Sequence, residues 1–173
     1  VGEYVETANI IKSLELKNEN YNKIEFELLG ELGVLNLTAI GQEQMNYWVD
    51  NGLIKYLGKS DNVSEEIAKV DCVVLPSYRE GTPRTLLEAA SMAKPIVTTD
   101  VPGCRDVVDD GINGYLCEMK NANDLADKMQ KMLSLTFEER EAMGKAGRKK
   151  IVKEFDEKIV IEKYLKAIES ILK

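Results

Sequence analysis

Short apolar segments recur along the chain, and most are followed within a few residues by a stretch with helical spacing. That alternation constrains the fold more than any other feature. The segments that read as strands are Ile24 to Leu29, Ile54 to Leu57, Asp71 to Leu75, Pro95 to Thr98 and Gly114 to Cys117. Helices are predicted over Glu43 to Val49, Val63 to Val70, Pro83 to Ala93 and Ala122 to Leu133, with a helical turn at Gly103 to Asp109. Asn51-Gly52 is a stop for the first of these, and Ser64 the expected N-cap of the second. Asp71 to Leu75 (DCVVL) is a continuous apolar run, which predicts a strand buried on both faces. Strands and helices joined by short connections predict an α/β fold, a Rossmann-like doubly wound parallel sheet with helices on both faces. Ligands of such sheets bind beyond the carboxyl ends of the strands. The loop after DCVVL, Pro76 to Gly81, is therefore where a site is expected.

The two ends add helices. The opening VGEYVETANIIKSLELK reads as an amphipathic helix already under way, with no initiator Met, and the expectation is a piece of a longer protein. From Phe137 onward the chain is helical and rich in Lys and Glu, with a break at Phe155-Asp156. The last helix, Glu157 to Lys173, carries Ile161, Tyr164, Leu165, Ile168 and Leu172 at helical spacing. No apolar run approaches the ~20 residues that span a bilayer, and no signal peptide is visible. A cytoplasmic protein is expected.

Composition removes several kinds of chemistry. The net charge is −7, whereas a general nucleic-acid binder is usually basic. There is no histidine, so a Ser-His-Asp triad, a Cys-His pair and every His-containing metal site are excluded. Cys72, Cys104 and Cys117 are odd in number and form no CxxC, so reduced thiols are expected, with Cys72 in a core strand. Any reaction must run on carboxylates, hydroxyls, Lys, Arg and backbone dipoles.

The segment PSYREGTPRTLLEAASMAKPIVTTDVPGCRDVV carries the chemistry. Gly81 permits a tight turn or the close approach of a ligand. Thr82 is suited to capping the next helix and Pro83 to its first turn. The helix then starts just after Glu80, and its free N–H groups and positive dipole end favour an anion such as a diphosphate. Glu88 sits among Leu86, Leu87, Ala89 and Ala90, on a helix that reads as mostly buried. A buried carboxylate needs a partner, and two adjacent ribose hydroxyls would supply one. Taken alone, Glu88 also fits a solvated helix face and Glu80 an ordinary surface loop, and Gly81-Thr82-Pro83 fits plain turn chemistry.

Together these residues resemble the GT-B glycosyltransferases called group 1, or family 4. That family's signature is two glutamates separated by seven residues, and Glu80 with Glu88 match it. PSYREGTPRTLLEA, then KPIVTTDVPGCRDVV, then DGINGYL follow the family in order and spacing, and the resemblance covers essentially the whole chain. It implies that residues 1–173 form the C-terminal, nucleotide-sugar-binding domain of a two-domain enzyme, with 156–173 crossing toward an absent acceptor domain. Glu88 would then bind the ribose and Glu80 the donor sugar near the reacting centre. Gly81, Thr82, Pro83, Arg84 and Thr85 would approach the sugar and diphosphate. The base would lie near Lys59, Asp61 and Val63. The implied reaction is retaining transfer from a nucleotide diphosphate sugar, with uracil the expected base, to a glycan or lipid-linked acceptor in bacterial surface-polysaccharide assembly. No cofactor or metal is expected, and Asp109-Asp110-Gly111 reads as a turn rather than a DxD metal motif. The diphosphate-binding Arg and Lys of the family precede Val1, and Lys59, Arg79 and Arg84 do not obviously replace them. Nucleic acid is not an expected partner, and any membrane contact would belong to the absent half.

Two other functions stay open at this point. A sugar-nucleotide epimerase of the related fold would share the carboxylate-rich crevice, but such enzymes usually use histidine. A non-catalytic nucleotide-binding module would need no Glu80. A dinucleotide-dependent dehydrogenase is disfavoured, because Gly30-Glu31-Leu32-Gly33 is not GxGxxG.

Overall fold

The computed structural model describes residues 1–15, 24–33 and 39–171. Its elements run α1 (Gly2–Glu15), β1 (Glu27–Leu29), α2 (Gln42–Asp50), β2 (Lys55–Gly58), α3 (Val63–Lys69), β3 (Val73–Leu75), α4 (Arg84–Ser91), β4 (Ile96–Thr99), α5 (Cys104–Val107), β5 (Gly114–Cys117), α6 (Ala122–Ser134), α7 (Phe137–Glu154) and α8 (Glu157–Ile171). Strand and helix alternate in the predicted order. Leu16, Lys17 and Leu172, which the expected first and last helices include, lie outside the described residues.

Every ladder is parallel. β1 pairs with β2, and β4 lies between β3 and β5. The expected sheet is thus present as a pair and a triple, and no ladder joins β1 to β3 among the described residues.

The central strand separates two cores. Ile96 packs with Leu86 and Ala90 of α4, Val107 of α5 and Ile151 of α7. The next residue, Val97, packs with Leu125 and Met132 of α6 and with Cys117. Successive side chains of a strand point to opposite faces, so helices cover both faces of this sheet, as a doubly wound fold requires. A third cluster joins α1 and α2 to the first strand pair through Val5, Ala8, Ile11, Phe26, Met45 and Trp48.

The burial expected of DCVVL belongs instead to β4. All four β4 residues are buried, whereas Asp71 is exposed and the residues of β3 are half-buried. A central strand is flanked by ladders on both sides, while β3 is hydrogen-bonded on one side only among the described residues. Cys72 accordingly sits just before β3 and is half-buried. All three cysteines are free thiols.

Two expected caps are also corrected. Asn62, not Ser64, holds the N-cap position of α3, and the Ser64 hydroxyl donates to Asn62 Oδ1 at 2.7 Å. Pro83, not Thr82, holds that position for α4, with no side-chain cap, and the helix proper begins at Arg84. Elsewhere capping follows ordinary chemistry. Asn121 Oδ1 accepts from the Asp124 amide at 3.0 Å to start α6, and Thr136 with Glu139 forms a reciprocal box that starts α7.

α7 lies close over the end of α4. A Cβ at Gly144 would stand 1.8 Å from the Ala93 carbonyl oxygen, so only glycine lets the backbones approach this far. Arg148 donates to the Ser91 carbonyl there. Lys94 donates to the carbonyls of Ala68 and Val70 at the end of α3, at 2.9 and 2.7 Å. Cations at helix carboxyl ends satisfy orphan carbonyls and suit the dipole. In contrast, α8 buries no residue, and its Ile161, Tyr164, Leu165 and Ile168 are all exposed. No helix is long and apolar enough to cross a membrane, among the described residues.

Candidate functional site

β3 ends at Leu75, and the chain then crosses Pro76 to Pro83 before α4 begins. This loop is fixed from beneath by β4. The Thr98 hydroxyl donates to the Leu75 carbonyl at 2.7 Å, and the Thr99 hydroxyl donates to the Ser77 carbonyl. Both threonines are buried, and buried hydroxyls are costly unless bonded. Ser77 in turn donates through its hydroxyl to Glu80 Oε1 at 2.6 Å. Glu80 is half-buried.

A second support comes from the turn after β4. Gly103 has φ +85° and lies against the loop backbone. Its amide donates to Asp106 Oδ2 at 3.2 Å, which starts α5. Cys104 follows, fully buried. Burial raises its thiol pKa most, hydrogen bonds with Thr98 and Thr99 oppose that, and the Glu80 charge adds to the rise. Glu80 therefore stands close to the Thr98, Thr99 and Cys104 cluster.

The outer side of the loop faces a cleft. Tyr78 donates to the Glu3 carboxylate at the start of α1, and Lys120 Nζ lies 5.1 Å from the centre of the Tyr78 ring. Burial raises the Glu3 pKa, but the Tyr78 hydroxyl, with the Lys120 charge, brings it below the ordinary value. The cleft has a volume of about 1030 Å³ and is lined by the start of α1, by Tyr47 and Trp48 of α2, and by Pro76 to Tyr78. No sequence pattern marked this cleft, because its walls come from segments far apart in the chain.

α4 carries the remaining expected residues of this segment. Leu86, Ala89 and Ala90 are buried, while Gly81, Thr82, Arg84 and Thr85 are exposed and Pro83 is buried. No acid lies in the first turn of α4, and Arg84 does. That is the reverse of what a helix start usually prefers, and it leaves the positive end of the dipole for an external anion. Glu88 is less buried than its apolar neighbours imply. Its side chain is 38% exposed and stands 3.5 Å from an Arg84 that is 90% exposed. A contact this long and solvated contributes little stability, so Glu88 keeps acceptor capacity for another partner.

Lys59, Asp61 and Val63 follow the carboxyl end of β2. Lys59 pairs with Glu31 at 3.3 Å, Asp61 is exposed, and Val63 opens α3. No hydrogen bond or ion pair among the described residues links this loop to the 80–88 segment. Asp109-Asp110-Gly111 forms a turn as expected. Asp109 pairs with Lys150 at 2.7 Å, Asp110 Oδ1 accepts from the Leu116 amide at 2.8 Å, and Gly111 has φ +75°. No group of three or more Cys, Asp or Glu among the described residues is arranged to hold a metal ion.

Glu80 and Glu88 are singled out by the sequence, whereas the hydroxyls of Ser77, Thr98 and Thr99 that hold the Glu80 loop are not. The available signal was two adjacent hydroxyls closing an otherwise aliphatic strand, in PIVTT.

Residues 6–150 match the family model "Glycosyl transferases group 1". The whole chain is 30% identical to the N,N'-diacetylbacillosaminyl-diphospho-undecaprenol alpha-1,3-N-acetylgalactosaminyltransferase of Campylobacter jejuni, and covers 42% of that protein. The fold is similar to TarM of S. aureus, solved as a variant with Fondaparinux, alpha-GlcNAc-glycerol and UDP. There the TM-score is 0.78 at 22% identity, over 95% of this chain and 32% of that one. It is similar also to the C-terminal domain of LpcC from Francisella tularensis, a glycosyl transferase group 1 family protein. There the TM-score is 0.69 at 21% identity, over 88% of this chain and 77% of that one. The chain thus spans less than half the length of the Campylobacter relative.

Proposed function

The chain belongs to the glycosyl transferases group 1 family, and from that premise we propose that it is the donor-binding half of a retaining glycosyltransferase. The donor is a nucleotide diphosphate sugar, with uridine the preferred nucleoside. The sugar is a hexose or N-acetylhexosamine, and it passes to a glycan or lipid-linked acceptor in surface-polysaccharide assembly. Acceptor binding, and any contact with a membrane surface, belong to the rest of the whole protein.

One observation carries this reading. Glu80 is held by Ser77 at the carboxyl end of a parallel strand, just before a helix whose first turn holds no acid. A carboxylate and a helix N-terminus in that relation suit a sugar joined to a diphosphate. Glu80 Oε2 accepts from a hydroxyl of the donor sugar. The first N–H groups of α4, with Arg84 beside them, take up the charge that grows on the leaving diphosphate as the glycosidic bond stretches. Glu88, one helical turn further on, accepts from the ribose hydroxyls, and its long contact with Arg84 yields to them. The acceptor hydroxyl then bonds to the sugar carbon on the face from which the diphosphate departs and passes its proton to the departing phosphate oxygen, so the configuration is retained. The reaction assigns no role to a metal ion.

The relative from Campylobacter is an N-acetylgalactosaminyltransferase acting on N,N'-diacetylbacillosaminyl-diphospho-undecaprenol. TarM was solved with UDP. Both support the class of donor and acceptor proposed. Titrating the whole protein with UDP and with a panel of UDP-sugars, and assaying transfer to lipid-linked acceptors, tests the reading. A sugar-dependent gain in affinity and release of UDP on transfer are expected. Binding of UDP with no gain from any sugar would leave only a nucleotide-binding module. Conversion of the donor sugar without transfer would indicate an epimerase.

A further inference from the structure

We propose that Ser77, anchored by Thr99, is a positioning residue that orients the Glu80 carboxylate for the sugar-transfer step. The inference rests on the role given to Glu80 above and adds how that role is achieved.

Glu80 sits in a loop, where a side chain with three rotatable bonds would sample many orientations. Here one of its oxygens is engaged. Ser77 donates to Oε1 at 2.6 Å, the short distance expected of a hydroxyl bonded to an ionised carboxylate. Oε2 keeps its acceptor capacity. The pair is three residues apart in a loop, so the bond holds its geometry only if the Ser77 backbone is fixed. Two contacts fix it. The Ser77 amide donates to the Leu75 carbonyl at 3.0 Å, and the Ser77 carbonyl accepts from Thr99. Thr99 is buried on the central strand, the most constrained element of the fold. Thr98 repeats the device one residue earlier, on Leu75. A chain of hydroxyls therefore runs from a rigid strand to one oxygen of the carboxylate.

A purely structural role predicts something different. If the hydroxyls served only stability, replacing Thr99 by valine would lower the melting temperature through the unpaired Ser77 carbonyl and leave kcat of the folded protein unchanged. Two adjacent buried hydroxyls that both bond to the same loop are better explained by the need to hold that loop in register with its carboxylate.

The test is steady-state kinetics of the whole protein, with melting temperature recorded for each variant. Glu80→Ala lowers kcat strongly. Ser77→Ala is expected to lower kcat by about ten- to a hundredfold, the loss of a hydrogen bond to a charged group, with donor KM changed less than about twofold. Ser77→Thr, which keeps the hydroxyl, restores most of the rate. Thr99→Val is expected to act in the same direction and Thr99→Ser to rescue it. Adding Ser77→Ala to Glu80→Ala should cost nothing more, because the target of the positioning is gone. If Glu80→Ala slows turnover but Ser77→Ala does not, the positioning role fails alone. If the two losses multiply, Ser77 acts through another group and the inference is overturned. If Glu80→Ala leaves turnover intact, the reading of Glu80 falls, and this inference with it. Should Thr99→Val fail to fold, the Ser77 pair and the double variant still decide.

Discussion

Gly103 lies so close to Gly81 that a Cβ at position 103 would stand 1.4 Å from the Gly81 carbonyl oxygen and 2.9 Å from that of Glu80. Its φ of +85° adds a second reason for glycine. The turn after β4 is therefore a template for the loop that carries Glu80. Gly103→Ala must push that loop away or break the turn. The expected cost is about 2–4 kcal/mol of stability, combining overpacking with a left-handed non-glycine residue. Thermal unfolding followed by circular dichroism measures it. A melting temperature equal to that of the parent would contradict the close approach.

Glu88→Ala is expected to weaken binding of UDP by about 1–3 kcal/mol, the loss of charged hydrogen bonds to ribose. Glu80→Ala should leave UDP affinity nearly unchanged and lower turnover instead. Calorimetric titration beside an activity assay separates the two. Equal effects of both variants on UDP affinity would undo the division of labour between the carboxylates.

Much of this was legible beforehand, for reasons that particular residues make clear. Gly114 to Cys117 was read to the residue, because Gly and Asn precede it and a charge follows. Glu80 and Glu88 stand out as candidates because a loop glycine, a proline and an apolar helix bracket them. DCVVL misled because hydrophobicity reports contact with apolar neighbours and not the number of flanking strands. The burial of Glu88 was overestimated because its neighbours Leu86 and Ala89 turn to the core while it lies at the margin of that face. The hydroxyl chain from Thr99 through Ser77 was invisible, since it depends on which strand passes beneath which loop.

Alkaline pH should destabilise the fold through its thiols. Burial pushes Cys72 and Cys117 up to about 12, from an ordinary value of 9.0, and raises Cys104 as well. Between those limits the unfolded chain has released thiol protons that the folded one keeps, so stability is level below about pH 9 and falls from there toward about pH 12. Guanidinium unfolding midpoints across that range would record the decline. Cys117→Ala should make it shallower, and an unchanged pH profile for that variant would contradict the assignment.

Gly144→Ala is expected to separate α7 from α4, because the added carbon meets the Ala93 carbonyl at 1.8 Å. Overpacking of this kind costs roughly 1–3 kcal/mol. The neighbouring Gly147 has ordinary contact distances to Ala90 and Asn113 of 3.6 Å, so Gly147→Ala should cost less. Paired unfolding experiments on the two variants check the order.

The exposed face of α8 should make the isolated chain self-associate. Ile161, Tyr164, Leu165 and Ile168 all meet solvent, and contiguous apolar patches of this sort promote association. Sedimentation at rising concentration should reveal oligomers, and Ile161→Lys with Leu165→Glu should suppress them without altering the circular dichroism spectrum. A strictly monomeric parent chain would refute this.

β4 has no uncommitted position. Ile96 belongs to one helical layer and Val97 to the other, and the hydroxyls of Thr98 and Thr99 are spent on the loop above. Substitution therefore has little room on the strand. Solvent-facing positions such as Arg79 and Asp61 instead tolerate a new side chain without disturbing the frame. Substitutions at those positions, with β4 left intact, should therefore leave the melting temperature nearly unchanged.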